Sequence, residues 1–307
     1  MNNSKTKIGL GLAALGRPEY INIRDNGSID KSEIAFKQNT FSVLDEAYNL
    51  GVRYFYTSPS YGKGDAVLEE WNKSRKNNDV SLGTKWGYTY VETWQLGYNG
   101  KHEIKEHSLD KLLEQWEVSK AKLPNLKYYQ VHSATFDSAI LEYEAVLLQL
   151  HLIKKETGLK IGITTSGANQ KEVITAALNI KIENEDLFDS FQVTYNLFDQ
   201  DTLEILRQVV SQGKTVIIKE ALANGRIFPN GKFENYKNAY DILNRLSKKY
   251  NVGIDAIALR FVMESLQPTY VLSGASNSKQ LKENLKALEF NFIEDELILL
   301  QSLNAPV

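Results

Sequence analysis

Four residues end short apolar runs and could together move protons. They are Tyr56 and Tyr61 in YFYTSPSYGKGD, Lys85 in SLGTKWG and His132 in YYQVHS. A tyrosine titrates near about pH 10, and a neighbouring ammonium favours its phenolate. Lys85 beside Tyr61 would therefore ease proton exchange with a carbonyl or alcohol oxygen. His132 could orient that oxygen by donating a hydrogen bond toward its developing charge. A hydride would have to come from a cofactor, because no side chain supplies one. Trp86 and Tyr88 follow Lys85 and offer an aromatic wall to an apolar or sugar-like carbonyl compound, although either could equally anchor a loop. Tyr20, Ile21 and Ile23 could add to that wall. The remaining histidines, His102, His107 and His151, stand in polar or helical contexts and read as surface residues. No His-Glu-x-x-His pattern or carboxylate cluster accompanies His132, so no metal site is expected.

Positioning these groups requires strands that end at one face, and the sequence alternates accordingly. Strand patterns occupy 7–12, 54–57, 80–85, 128–132, 160–164, 190–193, 215–219 and 270–274. Helical patterns occupy 40–50, 66–71 and onward, 109–119, 171–178, 202–212, 236–250 and 279–287. Eight such units in 307 residues predict a single (β/α)8 TIM barrel over 1–307, with the chemistry at the strands' C-terminal ends. A further helix over 252–266 is stopped by Pro268, and a C-terminal helix is expected near 293–303. Long loops are expected near 16–36 and 87–100, the second overhanging the catalytic face. The structural alternative is an open doubly wound sheet. It is disfavoured because no G-x-G-x-x-G turn opens a strand–helix unit.

Bulk properties exclude other classes. The 36 basic and 38 acidic residues are interspersed and give a net charge of −2, so no nucleic-acid groove is expected. There is no cysteine, hence no disulfide and no thiolate chemistry. No apolar stretch is long enough to span a membrane. The opening MNNSKTKIGLGLAALG is short and glycine-broken and does not read as a signal peptide, so a cytoplasmic location is expected.

Several segments resemble the aldo-keto reductase family. LDEAYNLGVRYFYTSPSYGKGDAVLEEW is similar to the family's segment running from helix and glycine through a strand ending Asp-Thr-Ala to Tyr-Gly. IGITTSG resembles its Ile-Gly-x-Ser-Asn motif, FQVTYNLFD its Gln-x-x-Tyr-Asn motif, and VLSGASNSKQLKENL its last cofactor loop. The resemblance implies carbonyl reduction with Tyr61, Lys85 and His132 as three members of a catalytic tetrad. It also implies NADP(H), while the residues permit NAD(H). The implied cofactor contacts are Thr164, Thr165, Gln192, Lys219, Gly274, Ser276, Asn277, Lys279, Gln280 and Asn284.

Four departures fall in the site. Tyr56 takes the tetrad aspartate's position. It could accept a hydrogen bond from Lys85, or simply fill aromatic space, but it supplies no charge, and uncompensated burial lowers a lysine's pKa. Thr165 replaces an amide that holds the nicotinamide carboxamide. Lys219 replaces a tyrosine that stacks beneath the nicotinamide. Its charge could approach the pyrophosphate, repel the oxidised ring or pair with Glu220, although consecutive strand residues point to opposite faces. Gln280 replaces a phosphate-reading arginine, with Lys279 beside it as a point charge. Three functions remain open: a reductase, a cofactor-binding regulatory or accessory protein with little turnover, and an acid–base lyase or isomerase.

Overall fold

The computed structural model describes residues 6–18, 30, 32–76, 78–92, 94, 99–229 and 236–303. In chain order its elements begin with β1 (Lys7–Gly11), α1 (Ala13–Gly16), α2 (Glu33–Asn49), β2 (Tyr54–Tyr56), α3 (Gly64–Arg75) and β3 (Ser81–Trp86). Next come β4 (Tyr88–Tyr90), β5 (Glu103–Lys105), α4 (Leu109–Lys122), β6 (Leu126–Val131), α5 (Glu144–Thr157), β7 (Lys160–Thr164) and α6 (Gln170–Leu178). β8 (Lys181–Ile182), β9 (Glu185–Asp186), β10 (Ser190–Thr194), α7 (Leu203–Ser211) and β11 (Thr215–Lys219) follow. The chain finishes with α8 (Lys237–Tyr250), α9 (Ile254–Leu266), β12 (Tyr270–Ser273), α10 (Ser278–Leu285) and α11 (Glu294–Gln301).

Eight of these strands close into a parallel barrel in the order β1-β12-β11-β10-β7-β6-β3-β2, the architecture that the alternating pattern predicts. Both faces of such strands are covered, which is why a run such as SFQVT in β10 is buried at every position. Outward-facing Ile161, Ile163, Phe191 and Val193 pack with helix residues in the main core. The barrel interior holds a tyrosine cluster: Tyr54, Tyr56, Tyr128 and Tyr270, with Ile217. Tyr54 stacks on Tyr270 at 4.1 Å between ring centroids. Gly83 makes room for them. A Cβ there would stand 2.5 Å from the Tyr54 hydroxyl and 2.6 Å from the Tyr56 ring.

Three segments of the sequence reading are corrected by the structure. The segment between the fourth and fifth barrel strands carries α5, which the reading omitted. Its Val146, Leu147, Leu150 and Ile153 are buried at helical spacing. The stretch expected to be an irregular loop near 87–100 begins as a strand, since β4 pairs antiparallel with β5. The expected loop near 16–36 is also shortened by α2, whose N-cap Ser32 accepts from Ala35 N. Tyr20, Ile21 and Ile23 lie outside the described residues. Among the described residues, no helix is long and apolar enough to cross a membrane.

Candidate active site

Lys85 stands at the end of β3, opposite Gln130 of β6 in the sheet register. Its ammonium nitrogen donates a hydrogen bond to the Tyr61 hydroxyl. It also lies 4.4 Å from the centre of the Tyr61 ring and 5.2 Å from that of Tyr56. Tyr61 is held by the turn that links β2 to α3, where Tyr61 N donates to Ser58 O and Gly64 N to Tyr61 O, both at 2.9 Å. Gly16 packs its backbone against that turn, and a Cβ there would meet Tyr61 O at 2.0 Å. His132 follows β6 and sets its ring edge-on to Tyr61, with centroids 6.3 Å apart. Tyr88 covers the imidazole at 4.2 Å.

Tyr56 does not engage Lys85 through its hydroxyl. Its O–H donates to Gln130 Oε1 at 2.6 Å, and Gln130 Nε2 donates on to Ser190 Oγ at 3.0 Å. Gln130 supplies the acceptor for this buried hydroxyl from β6, across β3. Lys85 therefore meets the ring face of Tyr56. Among the described residues, no carboxylate lies within ion-pair distance of Lys85.

The electrostatics follow from that arrangement. Burial first, and then the charge of Lys219, hold the Lys85 amine well below its ordinary range, while Glu103, Glu220 and Asp65 pull it back only in part. Burial, Lys85 and Lys219 likewise push His132 well below its ordinary value, so its imidazole is neutral and carries one N–H. The Tyr56 phenol is raised well above its usual value by burial and by its tyrosine neighbours, so it stays protonated. Asp65 accepts from Thr57 Oγ1 at 2.5 Å and is pushed up to about 6 by burial.

The structure adds residues that the sequence reading missed. His107 is partly buried rather than a surface residue. Its Nε2 donates to the His132 carbonyl oxygen at 2.8 Å, and its ring abuts Trp86. Burial and then Lys105 push it down to about 4. The visible signal was its place just before Ser108, the N-cap of α4, where a chain commonly folds back onto the core. His151 is also buried, at 2 % exposure, on the inner face of α5. Ser58 Oγ lies 3.1 Å from Ser60 Oγ and 3.5 Å from His132 Nδ1. Trp86 is fully buried, so its indole supports the wall from behind, whereas Tyr88 is half-exposed beside His132. Gln115 pins this hairpin by accepting from Gly87 N and donating to Tyr88 O.

In front of Tyr61 opens a cleft. Tyr56, Tyr61, Gln192, Lys219, Gln280 and Asn284 line it, together with the backbone of Gly274. Gln192 is 1 % exposed, and its side-chain amide leans on the Tyr56 hydroxyl without forming a well-aligned hydrogen bond. Asn284 is clamped between Ser273 and Asp255. Gln280 turns its carbonyl oxygen inward, accepting from Ser276 N and Oγ, while Asn277 caps α10. Thr164 accepts from Ser133 N and Thr165 donates to Ala134 O, so both hydroxyls are turned away from the cleft. Ser276, Asn277 and the exposed Lys279 also lie off its lining. Lys219 pairs with Glu220 at 3.0 Å despite being its chain neighbour. Among the described residues, no cluster of His, Asp or Glu could hold a metal ion.

The mouth of the parallel barrel thus carries a tyrosine hydrogen-bonded to a buried lysine, with a histidine beside them. The chain matches the Aldo/keto reductase family over residues 7–305 and belongs to it. It is 23% identical over 286 residues to the uncharacterized oxidoreductase YqkF of Bacillus subtilis (strain 168), covering 87% of this chain and 88% of that one. It is 24% identical over 264 residues to the L-galactose dehydrogenase of Arabidopsis thaliana, covering 82% and 78%. Among solved structures, the holo form of aldo-keto reductase AKR11C1 from Bacillus halodurans superposes with a TM-score of 0.70. There the identity is 22%, with 98% of this chain and 92% of that chain covered. At that identity the likeness speaks for the fold.

Proposed function

We propose that the protein is an NADP(H)-dependent oxidoreductase that reduces a small aldehyde or ketone, or oxidises the matching alcohol, with NAD(H) as the alternative cofactor. The observation that carries this reading is the Lys85–Tyr61 hydrogen bond at the mouth of a cleft that Gln192 and Asn284 also line. Tyr61 gives its proton to the carbonyl oxygen as charge develops there, and takes one in the reverse direction. Lys85 keeps the Tyr61 oxygen in place and stabilises it as the proton leaves. His132, being neutral, donates one hydrogen bond to the same oxygen and fixes its direction. Tyr88 and the hairpin of β4 and β5 limit water at that oxygen. The nicotinamide, held by Gln192, Asn284 and the Gly274 backbone, would supply or accept the hydride. Thr164, Thr165, Ser276, Asn277, Lys279 and Gln280 remain proposed contacts of the cofactor.

Fluorescence titration with NADPH and NADH, followed by a screen of carbonyl compounds, tests the reading. Tyr61→Phe should lose turnover by about 10²- to 10⁴-fold with cofactor affinity kept. Unchanged turnover in that variant would remove Tyr61 from the role. A second reading, a cofactor-binding regulatory protein, is favoured by one feature, the absence among the described residues of a carboxylate in contact with Lys85. It predicts saturable cofactor binding with negligible turnover across the whole screen.

A further inference from the structure

One wall of the cleft carries an ion pair that the reaction scheme does not use. The Lys219 ammonium sits 2.7 Å from Thr194 Oγ1 and 3.0 Å from Glu220 Oε1, and both charged residues line the cleft with Tyr61. Consecutive strand residues ordinarily point to opposite faces. Here β11 ends at Lys219 and Glu220 takes a left-handed backbone with φ +57°, which brings the two side chains together. Such a conformation crowds the Cβ of any residue but glycine. Asn224 is left-handed as well, with φ +53°, and donates to the second carboxylate oxygen at 3.3 Å. Two unfavourable backbone conformations thus converge on one carboxylate, and a solvent-facing ion pair would need neither.

We infer that Glu220 is a positioning residue that masks the charge of Lys219 and so sets how the cleft discriminates the oxidised from the reduced form of a nicotinamide cofactor. The inference rests on the oxidoreductase reading. The carbon that exchanges hydride must lie within reach of the oxygen served by Tyr61, and Lys219 shares that space. Its charge is close enough to depress both Lys85 and His132. The reduced ring is neutral and the oxidised ring is cationic, so an unmasked ammonium acts on one and not the other. Glu220 is suited to the masking. Burial pushes its carboxyl up, but the charge and hydrogen bond of Lys219, with those of Thr194 and Asn224, leave it below the ordinary value and ionised. The other charged groups around the pair are Lys85, Asp199 and Arg226.

The test measures the affinities of the oxidised and reduced cofactor separately, the first by displacement of the second. The proteins are the parent, Glu220→Gln, Lys219→Met and the double variant. Glu220→Gln should weaken the oxidised form relative to the reduced by about tenfold, Lys219→Met should shift the ratio the other way, and the double variant should return toward the parent. Parallel changes in both affinities, with the ratio kept, would mean that the pair only shapes the loop, and would overturn the inference while leaving the oxidoreductase reading in place. A folded parent protein that binds neither form would overturn both.

Discussion

Lys154 and Lys214 at one end of this barrel and Lys85 at the other are treated in opposite ways. At the N-terminal end, Lys154 bonds to Asp189 and to the Asp186 carbonyl oxygen, and Lys214 reaches Asp186 at 2.8 Å and the Phe188 carbonyl oxygen at 2.9 Å. Both of these ammoniums are met by a carboxylate, while Lys160 at the same end bonds to the Thr215 hydroxyl. At the C-terminal end, Lys85 is buried against two tyrosine rings with no carboxylate in contact. The first end spends its charges on holding strands in place, whereas the second leaves a charge poorly compensated where proton transfer is proposed. This division is the one expected of barrels, whose stabilising and reactive faces are separate.

The largest effect that would break this comparison is on turnover. Lys85→Met should lower kcat by about 10²-fold or more, because Tyr61 loses the group that stabilises its oxygen. The same variant should unfold at a higher temperature. Below its ordinary pKa the unfolded Lys85 is charged while the folded amine resists protonation, so this side chain subtracts from stability at neutral pH. A thermal melt beside a kinetic assay reads both signs. A variant that loses stability together with turnover would mean that Lys85 is paired as the lysines at the other end are.

Tyr56→Phe sharpens the same contrast. Removing its hydroxyl strands Gln130 Oε1 and should cost about 2 kcal/mol in denaturant unfolding. Turnover should stay within about twofold, because the hydroxyl points at Gln130 rather than at Lys85. A much larger fall in turnover would place that hydroxyl on Lys85 in the working protein.

The barrel itself was legible because its strands are short apolar runs, several rich in β-branched residues, that alternate with helical patterns. The 160–164 and 215–219 patterns coincide with β7 and β11. α5 was omitted although Val146, Leu147, Leu150 and Ile153 carry a helical period, so that failure lay in reading the pattern and not in the chain. The hairpin was obscure for a physical reason. β4 and β5 have three residues each and are joined across a long gap, too short for a period of two to stand out. In the site, strand ends identified Lys85 and His132. The Tyr56–Gln130 bond, the left-handed turn at Glu220 and the burial of His107 are contacts between distant segments or local backbone reversals, and periodicity carries no trace of them.

Acid conditions should expose the reactive end before the other. His107, held near 4, and His132, held below 6.5, resist protons that the unfolded chain accepts. Stability should therefore fall as pH drops from about 6.5 toward about 4. Asp65 acts in the opposite sense. Its folded carboxyl keeps a proton up to about 6, so its contribution is present at low pH and is lost as pH rises through that value. Urea unfolding of His107→Phe at about pH 7 and pH 4.5 should recover about 2 kcal/mol of the acid loss, and Asp65→Asn should deepen it. An acid loss that is identical with and without His107 would place the titrating group elsewhere.

The smallest effect belongs to the N-terminal end, and it decides whether the contrast concerns chemistry or only position. The Asp186 carboxyl is held below its ordinary value, chiefly by the hydrogen bond from Lys214. It is nevertheless 41% exposed, so water screens most of that attraction. Asp186→Asn should therefore lower stability by only about 1 kcal/mol and leave kcat, KM and the pH profile unchanged. Lys214 keeps the Phe188 carbonyl oxygen in the variant, so its charge is not stranded. If instead turnover fell with stability, the two ends would be coupled through β10 and β11, which run from this ion pair to Lys219. The paired lysines would then belong to the working site as much as Lys85 does.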